Sequence, residues 1–314
     1  MAFAGRVSGA ELQPIPPVAS DGKGNASLKT IVAIIPSHPK FPGGLAAIAG
    51  IHKILADAQS PYRLTFLDTF HYERSEVLRR EEQAIQTAIA DGAAGIIWWY
   101  YSDEETVAQI VRQHPNTAFV FLDRHPLNQA CDFTGLDDRE SSRAAVEYLL
   151  SLNHRRIAHL MDPGKYSTIL ERYEGYQTAL SSHGIPFDTN LVVHLDWKER
   201  RMERAFDHFQ SLSDPPTALF TTNDFIAYEF MEVAEARGMR VPEDLSIVGH
   251  GNIDRYTPRE FLTSVDQPFE MIGRSAAKLL LSRLNAAPTQ AKVYQHVILQ
   301  APLVLRSSCR KRAS

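Results

Sequence analysis

The sequence predicts an α/β protein of two lobes, each a parallel sheet flanked by helices. Three observations predict it. Apolar runs of strand length alternate with stretches of helical period, and the alternation passes through two successive rounds. Polar residues cluster where apolar runs end, at the sheet edge where ligands of open α/β proteins sit. A final amphipathic helix follows the second round and returns toward the first.

In chain order, residues 1–29 hold Pro14, Pro16, Pro17 and several glycines with no sustained period, which reads as a linker or disordered leader. Residues 30–36 (TIVAIIP) form a buried strand by their β-branched content. After a Gly/Pro loop comes a helix with Leu45, Ile48, Ile51, Leu55 and Ala58 on one face. Strands at 62–67, 94–99 and 118–122 alternate with helices at 74–90 and 104–112. Such spacing implies parallel pairing through right-handed crossovers.

A short strand at 133–136 precedes Asp137 and Asp138, either of which would cap a helix running to Leu152. The second round starts with a strand near 157–160. It continues with a helix at 167–183, a strand at 191–195 and a helix at 199–210. The stretch from Thr217 to Phe269 completes it. Ala218 to Phe220 end in Thr-Thr-Asn-Asp, and a helical pattern through Phe225, Tyr228, Met231 and Ala234 stops at Gly238. A strand at 245–248 then ends in Gly249-His250-Gly251. The last helix carries Ile272, Ala276, Leu279 and Leu280 on one side, and 293–305 is a strand region broken by Pro302.

Composition narrows the function classes. A chain of 314 residues suggests two domains, and 44% apolar with 22% charged residues is ordinary for a soluble globular protein. The net charge of −4 supplies no general field for nucleic acid, and the one basic cluster, Arg306, Arg310, Lys311 and Arg312, reads as a solvated tail. Two cysteines make no disulfide framework and fit reduced cytosolic thiols. No run reaches the ~18 apolar residues of a membrane span, and the first residues lack the pattern of a signal peptide. No phosphate-loop, zinc-protease or nucleophile-elbow motif occurs, and no spacing proposes a triad or metal site. The expectation is a cytoplasmic binding protein with no catalytic residues, no metal and no cofactor.

The stretch 217–269 resembles the effector-binding domain of the LacI/GalR family of transcription regulators. The matching residues are Asn223-Asp224, then Val241-Pro242-Glu243-Asp244 and Ser246-Ile247-Val248-Gly249, then Leu262-Thr263-Ser264-Val265-Asp266-Gln267-Pro268. Upstream, Asn153-His154-Arg155-Arg156-Ile157-Ala158 is similar to a family strand entry that usually opens with Gly. The resemblance implies a periplasmic-binding-protein-like type I fold with three crossover segments, near Leu136, Gln267 and Ala291. The expected lobes are 30–136 plus 268–290 and 137–267 plus 291–314. It also implies a small polar effector, a sugar or derivative, bound between the lobes. The other implied partner is a second copy in a homodimer, with residues 45–58 and 272–280 as parts of the interface. The family's helix-turn-helix and hinge helix have no counterpart in residues 1–29. DNA contact is therefore expected only through a head domain not visible in this chain, such as the winged helix of mixed GntR–LacI regulators. A solute-binding protein for transport or chemotaxis, or a sugar sensor without a head, is the competing reading.

The resemblance also assigns candidate effector contacts. Arg172 matches the arginine of the family's Arg-x-x-Gly-Tyr/Phe, whose fork grips effector oxygens; an exposed helix arginine paired with Glu171 or Glu174 explains it otherwise. Trp197 matches an aromatic that lies against a sugar or base ring, with core packing as its other role. Asn223 matches a ligand-binding asparagine, while Asp224 beside it suits a helix cap better. At His250-Gly251-Asn252 the family usually has aromatic-Asp-Asp, so Asn252 keeps a donor and an acceptor but no charge. His250 fits packing or ligand contact equally. Asp123 suits ligand contact or pairing with Arg124. His38 and Phe41, with Lys40, lie in the first strand–helix loop, where the family places the ligand's other face. Gln267 sits at a crossover and could reach the ligand or serve the hinge. Of Trp98, Trp99, Tyr100 and Tyr101, strand alternation lets at most half face the cleft.

Overall fold

A computed structural model describes residues 29–38, 42–57, 61–71, 73–196, 202–286 and 293–312. The first lobe opens with β1 (Lys29–Ile35), α1 (Pro42–Asp57), β2 (Tyr62–Asp68), α2 (Arg74–Ala90), β3 (Gly95–Trp98), α3 (Glu104–Gln113), β4 (Ala118–Leu122) and β5 (Asp132–Leu136). The second lobe follows with α4 (Asp138–Ser151), β6 (Ile157–Met161), α5 (Ser167–Ser182), β7 (Val192–His194), α6 (Met202–Ser211), β8 (Ala218–Thr221), α7 (Asp224–Ala236), β9 (Ser246–His250) and β10 (Thr263–Val265). The chain returns to the first lobe with α8 (Phe269–Asn285) and β11 (His296–Leu299), then ends with β12 (Leu303–Val304) in the second.

Each lobe is built on one sheet. The strand orders are β11-β5-β4-β3-β1-β2 and β12-β10-β9-β8-β6-β7. All pairs are parallel except β10 with β12. Burial follows from that arrangement, because helices on both faces leave a parallel strand no wet side. In β1, Ile31, Ala33 and Ile35 pack under α1 and α8, while Val32 and Ile34 pack under α2 and α3. In the second lobe, Phe220 and Val248 meet α4 and α5, while Leu219 and Ile247 meet α6 and α7. Short polar side chains start the helices where the strands stop: Asp103, Asp137 and Asn223 accept from the amides of Thr106, Glu140 and Ile226 at 2.9, 2.9 and 3.0 Å. Asn223, and not Asp224, is therefore the cap of α7.

Two expectations change. The apolar stripes expected at a dimer interface are spent inside the protomer. Ile51, Leu55, Ile272, Ala276, Leu279 and Leu280 belong to one core over the first sheet. Periodicity marks a face that must be covered and does not say by what. Here α1 and α8 cover each other, and glycines let their backbones touch. A Cβ at Gly50 would lie 2.0 Å from Glu270 O, and one at Gly273 2.0 Å from Ala47 O. What remains outward is Leu45 at 37% exposure and Met271 at 50%; Ala58 lies outside the described residues. The third crossing also comes later than expected. β11 pairs with β5 in the first sheet, His296 opposite Phe133, so the passage falls at 300–302, around Pro302, and not near Ala291. Of the expected leader, residues 1–29, residues 1–28 lie outside the described residues and Lys29 opens β1. Among the described residues no helix is long and apolar enough to cross a membrane.

Candidate functional site

Strand ends from both sheets and one crossing segment meet around a cavity between the lobes. It offers about 80 Å³ to the centres of water-sized spheres, against the ~10–15 Å³ that one water needs. That is room for one ring-sized polar molecule. The first lobe lines it with Trp99 and Tyr101 beyond β3, Asp123 and Arg124 beyond β4, and Phe269 at the start of α8. The second lobe supplies Asp162 and Tyr166 beyond β6, Arg172 from α5, Thr222, Asn223 and Phe225 around the start of α7, and His250 and Gly251 at the end of β9. Gln267 lines it from the second crossing. Trp98 and Tyr100, one step out of register, point into the core under α2 and α3.

The first-lobe wall is held from behind. Glu81 of α2, fully buried, accepts from the amides of Tyr101 and Ser102 at 2.6 and 3.1 Å, which fixes the loop after β3. Burial raises its pKa against those hydrogen bonds. Asp123 sits in the left-handed region at φ 71°, a turn that brings its carboxylate to Gln267, whose Nε2 donates to Oδ1. Arg124 follows. Its guanidinium carbon lies 4.7 Å from the Tyr101 ring and 4.3 Å from the Tyr166 ring, one tyrosine from each lobe. Among the described residues its one ion pair is a long one, 3.5 Å to Asp123, and its Nε has no partner.

The second-lobe wall hangs on Arg172. Gly175, one turn further along α5, lets that helix press against α4: a Cβ there would lie 2.3 Å from Arg139 O. The approach brings Asp138, at the start of α4, to Arg172. Nε donates to Asp138 Oδ1 at 2.6 Å and Nη1 to Thr222 O at 2.5 Å. Arg172 is thus buried, and the exposed-helix reading of it does not hold. Burial, opposed by Arg172, pushes the Asp138 carboxyl up to about 7. Asn223 uses its oxygen as the α7 cap and donates from Nδ2 to Asp162 Oδ2 at 2.9 Å. Asp162 is held in turn by its amide, which donates to Thr222 Oγ1 at 2.8 Å.

The cavity thus gathers Arg172, Asn223, Asp123 and Gln267 from the expected set. Asn252 is not in its wall. A left-handed turn at φ 51° swings that side chain away, where Nδ2 donates to Asp266 at 2.9 Å and Oδ1 accepts from Arg306 at 2.7 Å. His38 stacks on Phe70 at 4.4 Å, also outside the lining. Phe41, Lys40 and Trp197 lie outside the described residues. The sequence reading passed over Asp162, Thr222 and Tyr166, although the first two follow strand ends and obey the same rule as Asp123 and Asn223.

Two mainly parallel sheets joined by three passages, with a polar and aromatic cavity at the facing strand ends, define a bilobed α/β protein of the binding-protein type. A family model described as a periplasmic binding protein-like domain matches residues 146–309. The chain belongs to that family. Among curated relatives, the transcriptional repressor PurR of Vibrio atlanticus (strain LGP32) is 28% identical over 194 residues, 61% of this chain and 58% of the relative. The chain thus spans somewhat over half of that relative's length. Two solved structures share the fold. The transcription regulator CcpA of Lactococcus lactis has a TM-score of 0.76 at 22% identity, covering 90% of this chain and 99% of that one. A complex of the transcriptional regulator CelR with cellobiose has a TM-score of 0.73 at 22% identity, covering 89% and 84%.

Proposed function

We propose that this chain is the effector-sensing part of a LacI-type transcriptional regulator, and that a sugar or sugar derivative bound between the lobes controls DNA binding. The carrying observation is the chemistry of the cavity. Two arginines, Arg124 and Arg172, and two aspartates, Asp123 and Asp162, line it, so a neutral guest meets both donors and acceptors. Trp99, Tyr101, Tyr166, Phe225 and Phe269 add flat apolar walls. Hydroxyls satisfied at the polar groups and C–H faces laid on the rings describe a sugar. The cellobiose-bound neighbour and the repressor relatives support the same reading.

The proposed signal is lobe closure in the cytoplasm, read by a DNA-binding head and a second subunit. Effector shifts the balance by preferring one lobe arrangement, with a coupling of typically ~1–3 kcal/mol. No residue is assigned a reaction. Calorimetric screening of mono- and disaccharides, cellobiose included, tests the reading. Asp123→Asn should weaken the best binder about tenfold. Asn tolerates the left-handed turn at 123, so the backbone is kept. A screen in which the wild-type chain binds no sugar ends the proposal.

A further inference from the structure

The basic cluster near the end of the sequence is not the loose tail that its composition suggests. Residues 308–312 run along the start of β9 and past the end of α4, and their backbone is bonded to both. The Ile247 amide donates to Ser308 O at 2.9 Å, the Arg310 amide to Ser246 Oγ at 3.1 Å and the Arg312 amide to Leu152 O at 2.9 Å. His154, which is buried, lies with Nε2 3.0 Å from Arg310 O and Nδ1 3.0 Å from Thr217 Oγ1. Ties to α4, to the start of β9 and to the residue before β8 hold the segment in one place.

Its charged side chains stay in water. Arg310, Lys311, Arg312 and, next to His154, Arg155 are all exposed. Among the described residues none of these four side chains takes part in a hydrogen bond or an ion pair. Acids that adjoin them have other partners. Arg240 grips Asp244 with Nε to Oδ2 and Nη2 to Oδ1, both at 3.0 Å, and lowers its pKa, with a smaller part from Arg310. Asp188 and Asp214 flank Arg156 at 3.3 and 3.2 Å. Burial lowers the pKa of His154, and the charges of Arg312 and Arg310 add to the lowering, which sets both cations near one ring. The result is a group of unpaired cations on a fixed backbone.

Position narrows the partner. The cavity lies at the C-terminal ends of the parallel strands, so the starts of β6, β8 and β9 form the far pole of the second lobe. In the first lobe Lys29 begins β1, so a DNA-binding head joined ahead of it, as in the function proposed above, would enter at the opposite pole. A duplex held by such a head lies out of reach of these cations. We propose that Arg155, Arg310, Lys311 and Arg312 form a docking surface for an acidic segment of a protein partner. Guanidinium forks meet carboxylates at two points, and a backbone already tied down gives up less freedom on binding. The surface is separate from the cavity and works whatever the effector is.

The test uses the whole chain and a fluorescein-labelled polyglutamate peptide, read by fluorescence anisotropy at about 50 mM salt, where screening is modest. Reversing the charges together, by Arg155→Glu, Arg310→Glu, Lys311→Glu and Arg312→Glu, should weaken binding about tenfold or more. Equal reversals on the first lobe, Lys53→Glu, Arg79→Glu, Arg112→Glu and Lys278→Glu, should leave it within about threefold of wild type, because those charges lie beyond the screening distance. Carbodiimide coupling of the peptide to the wild type, mapped by mass spectrometry, covers the case in which the reversed chain fails to fold. The new amide should form at Lys311. The proposal falls if the wild type does not bind the peptide, if both sets of reversals act alike, or if Lys311 is not coupled. Tighter binding of a random-sequence DNA duplex through the same residues also overturns it, since the partner is then nucleic acid. None of these outcomes bears on the sugar-sensing reading, which sugar calorimetry decides.

Discussion

Arg172 and Asp138 form a buried pair, Nε to Oδ1 at 2.6 Å, with side chains 8% and 2% exposed. The arginine that the resemblance assigns to the effector is therefore also a structural tie between α5 and α4. Arg172→Ala leaves a buried carboxylate without its counter-charge, which costs about 3–5 kcal/mol. The variant should lose stability together with affinity. Urea unfolding checks this; an unchanged midpoint would show that the pair contributes nothing.

Asp138 sets a pH dependence. Its native carboxyl is pushed up to about 7 by burial, against an ordinary value of 3.8. The native state holds the proton more tightly than the unfolded chain, so this group's contribution is present in full below about pH 4. It is lost as pH rises through about 7. Between those limits the wild type should lose stability relative to Asp138→Asn. Urea midpoints of both proteins at pH 5 and pH 8 measure it; parallel shifts would refute it.

The lobes are also clasped directly. Tyr166 Oη donates to Tyr101 O at 2.8 Å and accepts from Arg74 Nη1 at 2.8 Å, both across the cleft. Tyr166→Phe removes both bonds and keeps the ring over Arg124. At about 0.5–1.5 kcal/mol per bond, the closed arrangement should weaken and effector affinity fall roughly tenfold. Small-angle scattering of the effector-free variant should show a larger radius. An unchanged radius and affinity would mean that the clasp is idle.

A second clasp titrates. His125, beyond β4, lies with Nε2 3.4 Å from Glu171 of α5, and the His296 ring lies tilted beside it at 5.2 Å. Burial opposes the imidazolium, but hydrogen bonds to Glu171 and to the Pro126 carbonyl outweigh it, so the pKa of His125 is raised. The stabilisation is present in full below the ordinary histidine value and is lost as pH rises through the raised one. Closure should be favoured near pH 6 over pH 8, and Glu171→Gln should flatten that dependence in scattering. A profile identical to wild type would exclude the pair.

The α1–α8 crossing has no room for a methyl. Gly273→Ala must drive the helices apart, because the new carbon would lie 2.0 Å from a backbone oxygen. Overpacking of this kind costs typically about 1–3 kcal/mol or more. A urea midpoint equal to wild type would show that the helices can part freely.

The fold was legible because strand and helix periods declare themselves locally. The site was legible in part, for a definable reason. The strand-end rule locates Asp123, Asn223 and their neighbours at the cleft, but the direction of a loop side chain depends on a backbone angle that no spacing reveals. Asn252 turns away at φ 51°, while Asp123 turns in at φ 71°. Long-range partners were equally hidden. Nothing in the Arg172 segment announces Asp138, 34 residues earlier. Arg124 read as a partner for Asp123, and only the arrival of Tyr166 from the other lobe makes it a stacked cation. The α1 and α8 stripes were seen correctly as apolar, but their partner turned out to be each other.

Three strands of backbone, at 136–138, 266–268 and 300–302, tie the two halves together. A single tether would let one half swivel and slide against the other. Three side by side leave mainly a rotation about the line they share, as in a book with a stitched spine. In the closure proposed above, the same pages meet each time. Tyr166 returns to Arg124, Asn223 faces Asp123 again, and a guest is measured against one fixed template, so discrimination between similar molecules is written into the binding of the spine as much as into the groups that touch them.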